Sequence, residues 1–520
     1  MSLKSAVYEL LDNGQRLCIG CPGTEMLVAD LAEMRERLQA PLRVAVVGIM
    51  KAGKSTFMNA LMGENILYTG ELETTYTVCW FVYGEKPSLT IWFNDGTFEE
   101  AEYSELEKWS VRKYEEENPR IHDVKYLKIH YPAEVLKSIE FIDTPGLNSI
   151  YGTDSQNTLD FLSIKGGEDT LYEAGMADAV IYAFSHTASG FDREILSAFY
   201  EGKGDITSPI NSIGILTKVD GTGIWNVLDE ATPVQAAKTV SNKIMENADI
   251  KQMLYTVLPV CAKICEGFSQ MKEEDWDAMS VIAERDLCDL QDALFDARQF
   301  SANEDPFYEE FGSVGKRSRL MGMLGQYGIL EIARQLKYGK KRDEIENELQ
   351  MLCGIQEVRE ILIRHFSGRN FLIKTQYILN HLRGVIRKIK GGENVNAQIE
   401  MVCDQIAEDM EELTSSVQIM KELRVLQMFY NGHVKFLNEE EEQDFLRVTG
   451  EYGRSAEARL GMQKESSLQE MAVAAKKNAE LWRGRAASGW MISGNYVEAA
   501  SVVARTYEEM YYHLNALCEE

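Results

Sequence analysis

A glycine-rich loop directly after a buried strand is the feature that most limits the fold of this 520-residue chain. Residues 42–49, LRVAVVGI, are predicted to form a buried strand, and the overlapping run GIMKAGKST (48–56) fits the pattern GxxxxGK[ST] without a mismatch. Glycines let successive backbone N–H groups converge on phosphate oxygens at the start of a helix. The sequence therefore predicts a phosphate-binding P-loop that leads into an amphipathic helix.

The side chains of this loop carry distinct predicted roles. Lys54 can reach the β- and γ-phosphates of a nucleotide, and the Ser55 hydroxyl can bind Mg²⁺. The neighbouring residues are predicted to contact the nucleotide mainly through their backbone. The predicted phosphate-binding set is Gly48, Met50, Lys51, Ala52, Gly53, Lys54, Ser55 and Thr56.

A second motif indicates which base is bound. The run TKVD at the end of a later predicted strand fits [NT]KxD, and its carboxylate, Asp220, can accept hydrogen bonds from guanine N1–H and the exocyclic amine. Adenine offers no such donor pair, and a site of this kind rejects the wrong ligand by roughly 10⁴-fold because a buried carboxylate would go unpaired. Lys218 can lay its stem on the base plane. The residues predicted to bind the base are Thr217, Lys218, Asp220, Ala262 and Lys263.

Two further segments are predicted to sense the γ-phosphate and the metal. In the run DTPG after a predicted strand, Asp143 is predicted to hold Mg²⁺ through water, and the Gly146 N–H to contact the γ-phosphate. Between this run and the P-loop, Thr75 is preferred over Thr74 as the switch threonine that binds Mg²⁺, together with Ser55. Motifs in this order predict a GTPase with GTP or GDP and Mg²⁺ as its cofactors.

Two regions of the chain differ in their pattern of apolar residues. From about residue 41 to 265, short apolar runs alternate with amphipathic stretches, the pattern of an α/β domain. Helical periodicity follows, and the last 180 or so residues contain no proline, which suits long helices. The predicted fold is an α/β P-loop GTPase domain with a mixed, mainly parallel sheet, plus an elongated all-α helical bundle. The predicted domains are N-terminal helices at 1–40 that pack on the bundle, the GTPase domain at 41–338 and the bundle at 339–520.

Individual elements can also be predicted. Strands are expected within 42–49, 76–83, 89–93, 139–146, 178–184, 212–220 and 256–263. A heptad stripe predicts a coiled-coil-like helix from 395 to about Leu426, on the order of 45 Å long. Its apolar positions are Ile399, Val402, Ile406, Met410, Leu413, Val417 and Met420. Near the N-terminus, Leu27, Leu31, Met34 and Leu38 share one helical face after Thr24, a candidate N-cap.

Charge and composition narrow the partners. The formal net charge of −28 argues against nucleic-acid binding, because a phosphate backbone would be repelled. The sequence has no run of about 18 apolar residues that would predict a transmembrane helix. Its nine scattered cysteines predict reduced thiols in a cytoplasmic protein, with a peripheral position at the inner face of the membrane as the alternative.

These motifs together resemble the dynamin superfamily. The runs GIMKAGKSTFMNALMGENIL, ELETTYTVCWFVYGE, DTPGLNS and TKVD are similar to those of bacterial dynamin-like proteins. The later runs LMGMLGQYGILEIARQL, GIQEVREILIRHFSGR and VVARTYEEM resemble the shorter bacterial forms, such as the isoniazid-inducible dynamin-like proteins of mycobacteria.

The resemblance implies a large GTPase that is stimulated when two GTPase domains dimerise and that couples hydrolysis to movement of its helical domain, with membrane remodelling as an expected outcome. It implies a homodimer, or a hetero-oligomer with a related dynamin-like protein, and peripheral membrane contact. The catalytic residues carried over are Lys51, Lys54, Thr75 and Gly146. The alternative is a weakly hydrolysing, nucleotide-gated assembly module that acts with a partner dynamin-like protein.

Three departures from the family pattern bear on this choice. Met50 and Lys51 stand where eukaryotic dynamins often have Gln-Ser, so Lys51 is the candidate source of transition-state charge, unless it faces solvent. Leu147 replaces a water-orienting glutamine, which predicts slow intrinsic hydrolysis. No lipid-binding domain is evident, and the basic stretch 361–392 is the candidate lipid surface, or else a core-packed helix.

Overall fold

A computed structural model gives the structure of the protein. It describes residues 3–49, 51–63, 66–67, 77–111, 114, 116–144, 177–185, 192, 209–221, 232–392, 395–430, 432–488 and 492–519. By the contacts between their Cα atoms, the residues group into two units. One unit comprises 41–203 and 211–362, and the other comprises 1–40, 204–210 and 363–520. The domain boundaries at 40 and 338 stay predictions.

Strands and helices are numbered in chain order. The strands are β1 Leu42–Gly48, β2 Cys79–Tyr83, β3 Ser88–Phe93, β4 Phe98–Ala101, β5 Val124–Tyr131, β6 Ile139–Asp143, β7 Ala179–Ser185, β8 Ser212–Thr217 and β9 Val257–Pro259. The helices are α1 Leu3–Cys18, α2 Glu25–Gln39, α3 Lys54–Met62, α4 Leu106–Ser110, α5 Pro233–Met245, α6 Ala248–Met253, α7 Ala262–Ser269, α8 Glu273–Ala283, α9 Leu287–Leu294, α10 Ala297–Ala302, α11 Pro306–Glu309, α12 Val314–Lys337, α13 Arg342–Leu352, α14 Ile355–Ile361, α15 Asn370–Lys390, α16 Ala397–Ser416, α17 Gln418–Tyr430, α18 Glu439–Val448, α19 Ala456–Leu460, α20 Leu468–Ser488 and α21 Gly494–Glu519. Short 3₁₀ turns lie at Tyr103–Glu105, Pro119–Asp123, Glu134–Lys137 and Ser367–Arg369, and a π turn lies at Leu362–Phe366.

One mixed sheet organises the first unit. Its strand order is β4-β3-β5-β2-β6-β1-β7-β8-β9. The pairs from β6 to β9 are all parallel, β2 pairs β6 antiparallel, and β3 is antiparallel to both its neighbours. The central strands β1, β7 and β8 are buried almost throughout, as expected for parallel strands covered on both faces. The predicted fold class, a mixed and mainly parallel sheet with a large helical part, is confirmed.

The predicted strands all correspond to strands of this sheet, but two strands were missed. β4 is a short edge strand of sequence FEEA, whose charged side chains are exposed and give no apolar signal. β5, VKYLKIHY, carries two lysines and a histidine, all half-buried and spread over both faces of the strand, so its alternation is weak when judged by hydrophobicity alone. β4 forms a local hairpin with β3, whereas β5 joins β3 to β2 through pairs that are distant in sequence.

The second unit is helical. The predicted apolar face of the N-terminal arm is buried: Leu27, Leu31, Met34 and Leu38 all lie on α2 with little or no exposure. Thr24 occupies the N-cap position, but its hydroxyl donates to the carbonyls of Cys21 and Cys18 and makes no cap bond to α2. The prediction of Thr24 as the N-cap is therefore correct for its position, but its side chain does not cap the helix.

The long heptad helix is interrupted. Val417 adopts an extended conformation (φ −82°, ψ 117°), so α16 ends at Ser416 and α17 begins at Gln418. The Thr414 and Ser415 hydroxyls donate to carbonyls of the preceding turn, which competes with the helical backbone bonds, and a β-branched residue follows. The prediction of one continuous helix from 395 to Leu426 is wrong, although its apolar positions other than the half-buried Val417 are buried.

A buried polar network lies inside the helical unit. Arg369 forms an ion pair with Glu451 at 2.9 Å, and both side chains are almost fully buried. Arg369 also lies 3.0 Å from Nδ1 of His365, and because a guanidinium only donates, this nitrogen must be the acceptor. Nε2 of His365 then carries the proton and donates to the carbonyl of Pro209 at 3.2 Å. Burial, followed by the charge of Arg369, holds the pKa of His365 well below its usual range.

This network predicts a pH-dependent stability. Because His365 stays neutral in the folded unit, its contribution is fully present above the unfolded pKa near 6.5 and is lost as the pH falls below it. At pH 5.5 the loss should be about 1.4 kcal/mol relative to pH 7.5 for one extra proton bound by the unfolded chain. Urea denaturation followed by helical circular dichroism should show this loss in the wild type and not in His365→Gln. His433→Gln, at an exposed histidine of the same unit, is the matched control and should keep the wild-type pH dependence.

Candidate nucleotide-binding site

The predicted site residues of the first unit gather at the carboxyl ends of neighbouring strands. β1 ends at Gly48 and leads into the loop before α3, β6 ends at Asp143, and β8 ends at Thr217. β1 lies between β6 and β7, with Val46 opposite Asp143 and Gly48 opposite Ala183. In open α/β sheets, ligands bind outside the carboxyl ends of the strands.

The start of the loop leaves no room for a side chain. A β-carbon at Gly48 would lie 2.6 Å from the carbonyl oxygen of Ala183 on β7. Lys51 has a φ of 62°, a left-handed conformation that is uncommon for residues other than glycine, and its side chain is exposed. The loop therefore turns tightly over the sheet before α3 begins at Lys54.

Lys54 is buried at the floor of this loop. Its Nζ donates to the carbonyls of Gly48 at 3.2 Å and Ile49 at 3.3 Å. Burial lowers the pKa of the Lys54 ammonium to about 8, against the opposing effect of the Asp143 charge. An ammonium in this setting is poorly compensated, and phosphate oxygens would supply the missing negative charge.

Asp143 and Ser55 lie together beside Lys54. The Ser55 hydroxyl donates to Oδ2 of Asp143 at 3.3 Å. Oδ1 of Asp143 is buried and has no hydrogen-bond partner among the described residues. Burial raises the pKa of Asp143 to about 6, partly offset by the Lys54 charge and the Ser55 hydrogen bond. A hydroxyl beside a carboxylate with one unsatisfied oxygen fits the hard oxygen ligands, direct or through water, that Mg²⁺ prefers.

The base-binding motif begins with a structural threonine. The Thr217 hydroxyl lies 2.9 Å from the carbonyl of Phe184 on β7 and also bonds to the carbonyl of Ala52, so it fastens the P-loop to the sheet. Lys218 follows with a φ of 56°. Burial lowers the pKa of Lys218; the Asp220 charge opposes this shift, and the nearby charges of Lys51 and Lys263 add to it.

The predicted third contact segment also reaches this place. Ala262 is the first residue of α7, directly after β9, and Lys263 follows it. The lysine stem lies near Asp220, since a β-carbon added at Gly325 would be within 4 Å of both side chains. The structure thus brings together all the predicted P-loop residues that it describes and the predicted base-binding residues. Met50, Thr74, Thr75, Gly146 and Leu147 lie outside the described residues.

A buried asparagine that the sequence analysis missed connects the two halves of the site. Asn59 on α3 donates from Nδ2 to Oε1 of Glu266 on α7 at 2.6 Å and to the carbonyl of Leu67 at 2.8 Å. Its Oδ1 accepts from the backbone N–H groups of Ile66 and Leu67. The helix that begins with Lys54 is therefore tied to the helix that begins with Ala262. An asparagine on the inner face of α3 was the available signal in the sequence.

A disulfide lies next to this region. Cys265 of α7 is bonded to Cys353, which follows α13, and the Cys261 N–H donates to the Cys353 carbonyl at 2.9 Å. The prediction that the cysteines are reduced is wrong for this pair. Their separation of 88 residues gives no spacing signal in the sequence.

Known proteins share these motifs. Residues 44–219 match the family model described as the dynamin family. Over these residues the chain is similar to the dynamin family. The predicted resemblance to bacterial dynamin-like proteins is confirmed, and the match implies binding of guanine nucleotides at the level of the family.

Relatives extend the similarity beyond the GTPase domain. The chain is 25% identical over 454 residues to the isoniazid-induced protein IniC of Mycobacterium tuberculosis. The aligned region covers 87% of this chain and 86% of that protein. It is 38% identical over 130 residues to the bacterial dynamin-like protein of Nostoc punctiforme, covering 23% of this chain and 18% of that protein.

A solved structure is also similar, though at low score. It is described as "An oligomerised bacterial dynamin pair provides a mechanism for the long range sensing and tethering of membranes". The match has a TM-score of 0.33 at 14% identity and covers 98% of this chain and 90% of that chain.

The burial of Lys54 separates its role in binding from its role in stability. Lys54→Met should weaken GDP affinity by about 10- to 100-fold, because a charge-assisted bond to phosphate is lost. The nucleotide-free protein should unfold at the same temperature or a higher one at pH 7, since a poorly compensated buried charge is removed. Calorimetric titration with GDP and thermal unfolding measure the two effects. Lys316→Met, at an exposed lysine of the same unit, should change neither.

Proposed function

We propose that the protein is a Mg²⁺-dependent GTP hydrolase whose turnover is stimulated by dimerisation of the GTPase domain and coupled to movement of the helical unit. One observation carries the proposal: the Ser55 hydroxyl lies 3.3 Å from Asp143, whose other carboxylate oxygen is buried without a described partner, directly beside the buried Lys54. These are the groups needed to hold a triphosphate and its metal.

The chain's own residues support binding in specific ways. The Lys54 ammonium, now bonded to loop carbonyls, is placed to exchange them for phosphate oxygens. Ser55 and Asp143 would hold Mg²⁺, which when bound neutralises charge on the phosphates. The switch roles of Thr75 and Gly146 remain predictions. Asp220 and Lys218 supply selection for guanine over adenine.

Lys51 is the residue proposed to complete the catalytic site in a dimer. This side chain faces solvent in the single chain, at a loop position with a left-handed backbone, so its charge would act in catalysis once a nucleotide or a second copy lies against it. From there it can act on its own nucleotide or on that of a second copy. Preorganised positive charge of this kind stabilises the transition state of phosphoryl transfer.

Membrane remodelling is the proposed use of the movement. Within the described residues, every helix is too short or too polar to cross a bilayer. In the basic stretch 361–392, the apolar side chains Leu379, Leu382 and Ile386 are buried in the helical unit. The exposed face of α15 presents Arg383, Arg387 and Lys388, and also Lys390, which is paired with Asp404. Each basic residue near an anionic leaflet contributes about 1 kcal/mol. Peripheral contact through this basic face is therefore proposed.

GTP turnover against protein concentration tests the proposal. Turnover per molecule should rise steeply with concentration, because each site is completed by a second copy, and should rise further with anionic liposomes. ATP is the control and should not be hydrolysed. Slow turnover that stays flat with concentration and lipid would contradict the proposal and would support the alternative, a nucleotide-gated assembly module that acts with a partner dynamin-like protein. Leu147 in place of a water-orienting glutamine is the sequence feature that favours this alternative.

The role of Lys51 can be isolated in the same assay. Lys51→Ala should lower concentration-stimulated turnover by about 100-fold, as expected for loss of one transition-state donor. GDP affinity should stay near that of the wild type, because the buried Lys54 remains. Lys316→Ala is the exposed-lysine control. Unchanged stimulated turnover in Lys51→Ala would remove Lys51 from the mechanism.

A further inference from the structure

Helix α12 is broken at a single glycine. Gly325 has a φ of 71° and a ψ of 178°, non-helical values inside the helical span Val314–Lys337. This region of backbone conformation is essentially restricted to glycine. The backbone therefore leaves the helical path in the middle of an otherwise continuous element.

The break lies against the carboxylate of the base-binding motif. A β-carbon at Gly325 would lie 2.9 Å from Oδ2 of Asp220, closer than real β-carbons approach oxygen. It would also lie 3.6 Å from Cδ of Lys263. The bare backbone at Gly325 thus lies directly against the two side chains that are predicted to contact the base.

This backbone is fixed in place by close packing of α12 on α7. A β-carbon at Gly267 of α7 would lie 2.1 Å from the carbonyl oxygen of Met323, two residues before the break. Leu324 is fully buried, and Gly328 lies near Ile264. Since the two backbones are in direct contact, the position of Gly325 relative to α7, which carries Lys263, has little freedom to vary.

We propose that Gly325 is a positioning residue for base selection. By occupying no side-chain volume at the back of the site, it holds the Asp220 carboxylate in the orientation that accepts both guanine donors. The inference rests on the proposed function, since it assumes that Asp220 binds a guanine base. It assigns specificity to a helix about 100 residues beyond the motif that carries the carboxylate.

Hypoxanthine is the matched probe, because it differs from guanine only by lacking the exocyclic amine. Calorimetric titration gives the ratio of GDP to IDP affinity, a readout that general loss of stability or of phosphate binding leaves unchanged. Gly325→Ala should lower this ratio by about tenfold or more, the size of a hydrogen bond to a charged group. Gly322→Ala is the control, because it lies on the same helix with no atom within 4 Å of the added carbon.

A double-mutant cycle tests whether Gly325 acts through Asp220. In the Asp220→Ala background, Gly325→Ala should leave the ratio unchanged. A second variant covers the case in which Gly325→Ala does not fold. Gly328→Ala needs no unusual backbone and adds a carbon 3.1 Å from Leu324 and 3.3 Å from Ile264. The added carbon therefore crowds the same contact between α12 and α7. By the same reasoning, Gly328→Ala should lower the ratio about two- to threefold.

The outcomes separate the two claims. If the wild type prefers GDP to IDP and both Gly325→Ala and Gly328→Ala keep that preference, Gly325 has no positioning role while guanine binding stands. If only Gly328→Ala folds, its ratio alone decides in the same way. If the wild type binds GDP and IDP equally, guanine recognition by Asp220 fails, and the positioning role fails with it. A lowered ratio that persists in the Asp220→Ala background also overturns the proposal.

Discussion

Two charged groups buried side by side at the end of a parallel sheet are the constraint on which the site depends. Lys54 and Asp143 lie where β1 and β6 end, in surroundings that shift both pKa values toward the neutral forms. Burying such charges costs several kcal/mol per ion unless they are well paired. The sheet can hold them there because its central strands pack apolar side chains on both faces. The resulting deficit of partners is what a nucleotide and its metal would remove.

Buried hydrogen bonds and packing contacts around the site hold Lys54 and Asp143 in place. Thr217 fastens the P-loop to β7, and Asn59 ties the helix that begins with Lys54 to α7 through Glu266. α7 in turn packs against α12, and Gly325 of α12 lies against the Asp220 carboxylate. The phosphate end and the base end are thus connected through buried contacts rather than through surface loops. A change at either end would therefore alter the packing of the same helices, α3, α7 and α12.

The sequence predicted the parts of this account that depend on local chemistry. Loop motifs and apolar runs identified Lys54, Asp143 and Asp220, and the central strands that carry them. Contacts between residues distant in sequence could not be predicted, because the local sequence pattern does not indicate them. Examples are the disulfide between Cys265 and Cys353 and the contact of Gly325 with Asp220. The prediction of a continuous helix from the heptad pattern was wrong at Val417, because the spacing of apolar residues does not reveal hydroxyl groups that compete for backbone hydrogen bonds.

Equilibrium binding of GDP and ADP, with and without Mg²⁺, tests the central claim most directly. We expect GDP to bind roughly 10⁴-fold more tightly than ADP, because Asp220 would be left unpaired by adenine. We also expect Mg²⁺ to strengthen GDP binding in the wild type and to have little effect in Asp143→Asn. Equal affinity for the two nucleotides, or binding of GDP that Asp143→Asn leaves just as responsive to Mg²⁺, would contradict this claim.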